Sequence, residues 1–139
     1  MGVRIALGAI LSLVAAAVFA QETTRSIWDG VYTEAQAKRG KPPYDLKCAD
    51  CHGEDLEGDA EAPALSGSEF LWKWNGLTLD QLFERIHRDM PLNNARTLSR
   101  EETADILAYI LQVNTMPPGK IELSHDQPAL KGIRIVPVR

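Results

Sequence analysis

The sequence predicts an all-α domain, and three observations point that way. Two stretches carry apolar residues at helical spacing. Each of those stretches sits directly behind a capping signal. Aromatic residues make up only 6% of the chain, and β-branched runs are few, which leaves little material for strands. The 139 residues fit one domain. A chain this small buries a modest core, to which a large apolar cofactor would add considerably.

The first twenty residues stand apart from the fold. Arg4 is followed by an uncharged, mostly apolar stretch from Ile5 to Ala20. It ends Val18-Phe19-Ala20, with small residues at the minus-three and minus-one positions, before polar Gln21-Glu22. This is the pattern of a secretory signal peptide cleaved after Ala20. The alternative is a retained membrane anchor, but a span needs about 20 apolar residues, and Gly8 and Ser12 interrupt this one. No cysteine near the cleavage point offers a site for lipid, so no stable membrane insertion is expected after cleavage. Loss of Arg4 would make the chain one unit more acidic than its formal charge of −4. Such a surface argues against nucleic acid as a partner.

Residues 21–32 read as an irregular lead-in with a turn at Trp28-Asp29-Gly30. Thr33 is an N-cap candidate for a helix that meets Gly40-Lys41-Pro42-Pro43. Proline inside a helix costs about 3 kcal/mol or more. A break or kink is therefore expected there, followed by a short helical segment through Tyr44 to Cys48. Residues 53–69, rich in Gly, Asp, Glu, Ala and Pro, read as a surface loop.

Thr78 and Gln81 then form a capping box. Leu79, Leu82, Phe83 and Ile86 follow as one apolar stripe, and Pro91 marks its end. Ser99 and Glu102 make a second capping box, with a stripe at Ile106, Tyr109, Ile110 and Val113. Pro117-Pro118-Gly119 stops that helix. The expected organisation is a leader at 1–20, a domain at 21–119 and a tail at 120–139. Ile133, Ile135 and Val138 alternate in that tail, which suggests a short extended piece lying on the domain.

Cys48-Ala49-Asp50-Cys51-His52 carries the chemistry. C-x-x-C-H is the signature of covalent heme attachment. Two thiols three positions apart on one helical turn can meet the two vinyl groups of one porphyrin. The adjacent His52 then supplies an imidazole nitrogen to the iron. Such attachment takes place outside the cytoplasm, in agreement with the leader. A disulfide or thioredoxin-like pair uses the same spacing but expects a βαβ pattern, which is not visible. A zinc site would need further ligands, and the other histidines are only His87 and His125.

For the sixth iron ligand the candidates are Met90, Met116, His87 and His125. Met90 follows the first capped helix and precedes Pro91, whose turn would project the thioether toward the heme. Met116 has the same Met-Pro dipeptide after the last helix. Met90 is the first choice, Met116 the second and His87 the third. For His87 itself the preferred reading is a solvent-facing helix residue.

With these residues in place the chain resembles class I cytochromes c. It is most similar to the small monoheme cytochromes that accompany periplasmic quinoprotein (PQQ) dehydrogenases. The resemblance covers Trp28 to Ile135. Its landmarks are Trp28-Asp29-Gly30-Val31-Tyr32, the heme motif, Ala62-Pro63-Ala64-Leu65-Ser66-Gly67, Trp74-Asn75-Gly76-Leu77-Thr78, Met90-Pro91 and Ala104-Asp105-Ile106-Leu107-Ala108-Tyr109-Ile110. It implies the class I fold, with N- and C-terminal helices crossing around one covalent heme c. In that pattern Gly40 and Tyr44 face Ile106 and Tyr109 at the crossing. Pro63 corresponds to the residue whose carbonyl accepts the His52 ring N–H. Trp72 and Trp74 correspond to residues flanking the heme. The family continues its first helix through the region where this sequence places Pro42-Pro43.

A His52/Met90 pair would leave no open coordination site, so the expectation is an electron carrier rather than an enzyme. It would work in the periplasm between a dehydrogenase donor and a cytochrome or oxidase acceptor. The alternatives are a heme-bearing subunit of a fixed dehydrogenase complex and a heme sensor or catalyst with a labile sixth ligand.

Overall fold

The computed structural model describes residues 24–137. The leader at 1–20 and Val138 lie outside them. Six helices make up about half of the described chain: α1 (Glu34–Lys47), α2 (Ala49–His52), α3 (Gly67–Trp74), α4 (Leu79–Asp89), α5 (Arg100–Val113) and α6 (Gln127–Lys131). Two short strands, β1 (Arg25–Ser26) and β2 (Ile133–Arg134), pair in parallel. A single 3-10 turn covers Leu92–Asn94. No helix among the described residues is long and apolar enough to cross a membrane.

Helix α1 starts where its sequence says it should. Thr33 is extended, and its hydroxyl accepts from the Gln36 backbone N–H, the usual role of an N-cap. The expected break at Pro42-Pro43 does not occur, and α1 runs unbroken to Lys47. The two prolines remove helical donors, but packing on both sides holds the turn. Before them, Gly40 lies against the backbone of Asp105 and Ile106. After them, the Tyr44 ring meets Tyr109 with centroids 5.3 Å apart. Tertiary packing thus overrides local propensity. The chain instead departs from helical geometry at Cys48, which ends α1 and begins α2.

The loop after the heme motif is shorter than expected. Helix α3 already begins at Gly67 behind Ser66, and it buries Phe70. Helix α4 has both halves of the Thr78/Gln81 capping box. Its stripe of Leu79, Leu82, Phe83 and Ile86 is buried throughout. Helix α5 has half of its box. Ser99 Oγ accepts from the Glu102 backbone N–H at 3.0 Å. The Glu102 carboxylate does not turn back to Ser99 but bonds Lys47 Nζ at 2.7 Å, because α1 offers it a cation across the crossing.

The C-terminal segment is woven into the domain. Leu123, Leu130, Ile133 and Ile135 are buried with the core. Gln36 clamps Leu123 through both its backbone N–H and its carbonyl, at 2.6 and 3.0 Å. Strand β2 pairs with β1, and Ile135 exchanges backbone bonds with Leu77 and Gly76 at 2.9 and 2.8 Å. The alternation of Ile133 and Ile135 marks this extended piece, whereas the short helix α6 had no signal strong enough to read.

Helices α1 and α5 set the architecture. A Cβ added at Gly40 would stand 1.8 Å from the Asp105 carbonyl oxygen. No rotamer relieves a backbone clash, so the helices would have to separate. Gly40→Ala is expected to destabilise the protein by about 3 kcal/mol, read by urea or thermal unfolding. Unchanged stability would contradict a backbone-to-backbone crossing.

Candidate heme-binding site

The site begins at the end of α1. Cys48 caps the single turn of α2, which carries Cys51 and His52, with the His52 N–H bonded to the Cys48 carbonyl at 2.9 Å. Cys48 is half-buried against the core, and Cys51 is exposed. No disulfide joins them. Burial pushes the Cys48 thiol up to about 11. A thiol raised in this way is mostly neutral at pH 7. Among the described residues there is also no cluster of three or more His, Cys, Asp or Glu suited to a metal ion.

His52 is 9% exposed. Its Nδ1 lies 2.8 Å from the Pro63 carbonyl oxygen. A carbonyl can only accept, so Nδ1 carries the proton and donates. The Nε2 lone pair is then the ring atom able to ligate a metal. The bond also fixes the ring orientation and makes the imidazole a stronger donor to a metal.

The loop 53–66 is built to present that carbonyl. The Gly58 N–H bonds the His52 carbonyl at 2.8 Å, and the Leu65 N–H bonds the Leu56 carbonyl at 2.8 Å. Asp59 Oδ1 accepts from the Ala62 and Glu61 backbone N–H groups at 2.9 and 2.7 Å. Those bonds, Ala62's first, hold the Asp59 carboxyl below its ordinary range. The charged form is the one that ties the loop, so this hold is present at neutral pH and is lost as pH falls through the lowered pKa. Tyr44 Oη donates to the Gly53 carbonyl at 2.8 Å, joining α1 to the end of the motif.

Asn114 was not visible from the sequence as a site residue, yet it anchors this loop. It is buried at the C-terminus of α5. Its Nδ2 donates to the Leu65 and Ile110 carbonyls at 2.9 and 2.8 Å, and its Oδ1 accepts from the Gly67 N–H at 3.0 Å. An Asn just past the last apolar residue of a helix was the only available signal.

The other candidates separate clearly. Met90 is the half-buried C-cap of α4, extended, with its N–H on the Ile86 carbonyl at 3.1 Å. Met116 is buried in the core, and its carbonyl accepts from Tyr32 Oη at 2.6 Å. His87 is not solvent-facing: its Nδ1 lies 3.3 Å from Thr103 Oγ1 of α5. His125 lies beside Glu101 and Asp126, at 3.8 and 3.9 Å. Trp72 and Trp74 are two apart on α3 and so do not share a face. Trp74 packs against the core, and Trp72 is exposed. The third indole, Trp28, donates to the Val136 carbonyl at 3.0 Å.

Two cysteines one helical turn apart, followed by an oriented imidazole with a free Nε2, fit a covalently held heme. Residues 37–114 match the family model described as cytochrome c. The chain belongs to the cytochrome c family. The helical architecture is that of class I. Membership brings heme-based electron transfer and the covalent heme c that this motif implies. Among solved structures, the cytochrome is similar to one titled as the sulfane dehydrogenase SoxCD from Paracoccus pantotrophus. The TM-score is 0.54 and the identity 22%, over 95% of this chain and 68% of that one. At that identity the likeness concerns the fold. No curated protein matches.

Gly58 tests the loop. It has φ +66°, and an added Cβ would stand 2.4 Å from the Ala64 nitrogen and 2.6 Å from the Pro63 carbonyl carbon. Gly58→Ala is expected to shift the Pro63 carbonyl off His52, which makes the imidazole less basic and raises the reduction potential. Potentiometry should show the rise, by the equivalent of about 1 kcal/mol. A potential that is unchanged or lowered would contradict this role for the loop.

Proposed function

We propose that this cytochrome is an exported monoheme electron carrier. Cys48 and Cys51 would hold one heme c, and His52 and Met90 would ligate its iron. The observation that carries the reading is the His52–Pro63 bond of 2.8 Å, which leaves Nε2 as the donor. The choice of Met90 is supported by contrast. Met116 is 2% exposed within the core, whereas Met90 ends α4 in an extended conformation.

The bound heme supplies reversible one-electron exchange of its iron. The chain's residues tune and protect that exchange. The Met90 thioether favours the ferrous state and raises the potential. Buried Leu82, Phe83 and Ile86 contribute an apolar setting that disfavours extra charge. The Pro63 carbonyl pulls the other way by strengthening His52 as a donor. With His52 and Met90 both holding the iron, no site would be left for a substrate, which supports the reading of a carrier rather than an enzyme.

The proposed setting is the periplasm, reached through a leader cleaved after Ala20. Residues 21–119 are proposed as the cytochrome domain, with the described part of the C-terminal segment, 120–137, packed on it through Leu123, Leu130, Ile133 and Ile135. The proposed donor is a dehydrogenase, as for the quinoprotein-associated cytochromes it resembles, and the acceptor is a further cytochrome or oxidase. Docking would be weak and small in area. Trp74, which packs against the core from the helix that follows the loop, is proposed to flank the heme, whereas the exposed Trp72 lies on another face of that helix.

The ferric absorption spectrum tests the ligand. Met90→Ala is expected to lose the thioether-to-iron charge-transfer band and to bind carbon monoxide rapidly once reduced. Met116→Ala is expected to keep the band. Survival of the band in the Met90 variant would overturn the assignment. Rapid carbon monoxide binding by the unmodified ferrous protein at neutral pH would instead favour a sensor or catalyst.

A further inference from the structure

His87 sits in the last turn of α4, three residues before Met90. Its ring packs beside Phe83, with centroids 6.0 Å apart, and its Nδ1 lies 3.3 Å from Thr103 Oγ1. The Thr103 hydroxyl hydrogen is already committed to the Ser99 carbonyl, at 2.7 Å. At the contact with His87 the hydroxyl oxygen therefore accepts, and Nδ1–H donates. Thr103 is 0% exposed, so water does not compete for the contact at its end. The bond is a directional tie from the last turn of α4 to the first turn of α5.

Arg100 completes the clasp one turn earlier on α4. Its guanidinium lies 4.7 Å over the Phe83 ring and 2.9 Å from Glu84, and its Nε donates to the His125 carbonyl at 2.9 Å. Arg100 therefore secures the middle of α4, and His87 secures its end. Met90 hangs directly from that end, since its N–H bonds the Ile86 carbonyl at 3.1 Å.

We propose that His87 is a positioning residue for axial ligation: through Thr103 it fixes the last turn of α4 and holds the Met90 thioether in place. This rests on the reading of Met90 as ligand. A thioether is a neutral donor on a flexible side chain, so its hold depends on how few alternatives its backbone allows. His87 is committed to α5 and acts on the iron only through Met90.

The test is an imidazole titration of the full-length ferric holoprotein, followed by the charge-transfer band. His87→Leu removes the donor, and Thr103→Val removes the acceptor at nearly constant volume. Both variants are expected to lose the band at roughly tenfold lower imidazole than the unmodified protein, the change that one such hydrogen bond supports. His87→Asn, which keeps a donor near Nδ1, and Thr103→Ser, which keeps the hydroxyl, are expected to restore the original affinity. If His87→Leu does not accumulate, Thr103→Val and its serine rescue carry the test alone. Unmodified imidazole affinity in both removal variants would overturn the proposal, even if their melting temperatures fell. A changed resting spectrum in His87→Leu but not in Thr103→Val would also overturn it, in favour of His87 as a ligand. Met90→Ala, run in parallel, separates the two levels. If it retains the band, the ligand reading itself fails. If it loses the band while both removal variants behave as the unmodified protein, only the positioning role fails.

Discussion

Where α1 crosses α5 there is no side chain on α1 at all. Gly40 lets its backbone rest on that of Asp105 and Ile106, and the neighbouring contacts follow from that approach. Tyr44 reaches Tyr109 one turn later. Arg39 reaches Asp105 at 3.1 Å and Glu122 at 2.8 Å, and Lys47 reaches Glu102 at 2.7 Å. These ion pairs are partly exposed, and each is worth about 0–1 kcal/mol. Their contribution is to register more than to energy, with Arg39 also binding the C-terminal segment through Glu122. Because α1 runs through Cys48 into α2, the crossing decides where both thiols and His52 stand relative to the core.

A second path reaches His52 from the other end of α5. Asn114 bonds Leu65 and Gly67, the loop between them and Gly53 presents the Pro63 carbonyl, and that carbonyl orients the imidazole. One helix therefore fixes the heme motif twice, through α1 at its start and through the loop at its end. With the proposed His52/Met90 ligation, two opposing effects on the iron would come from separate elements. The loop would strengthen His52 as a donor and favour the ferric state, while the Met90 end of α4 would favour the ferrous state. Sequence changes in either element can tune the potential without disturbing the crossing.

Much of this was legible in the sequence because it depends on local chemistry. The caps at Thr33, Thr78 and Ser99 and the stripe from Leu79 to Ile86 report directly on backbone groups and one apolar face. The heme motif is legible because covalent attachment needs its residues within one turn. What was not legible depends on partners far along the chain. Pro42 and Pro43 argue locally for a break, and only the contacts of Gly40 and Tyr44 with α5 keep α1 whole. Glu102 fits a capping box locally, yet Lys47 takes its carboxylate across the crossing. Helix α3 begins behind Ser66 with a glycine at its first position, which reads as loop until Phe70 is seen buried. Helix α6 has five residues, too few for a periodic pattern. His87 looked free because Thr103, its partner, lies on another helix.

The central claim is that Cys48 and Cys51 together hold a single heme through covalent bonds. The intact mass of the purified protein, measured after acid extraction and with thiols counted by alkylation, tests it most directly. The account predicts the mass of the chain beginning at Gln21 plus one heme, with neither cysteine alkylated. A mass equal to the bare polypeptide, with two alkylated thiols or a Cys48–Cys51 disulfide, would contradict it.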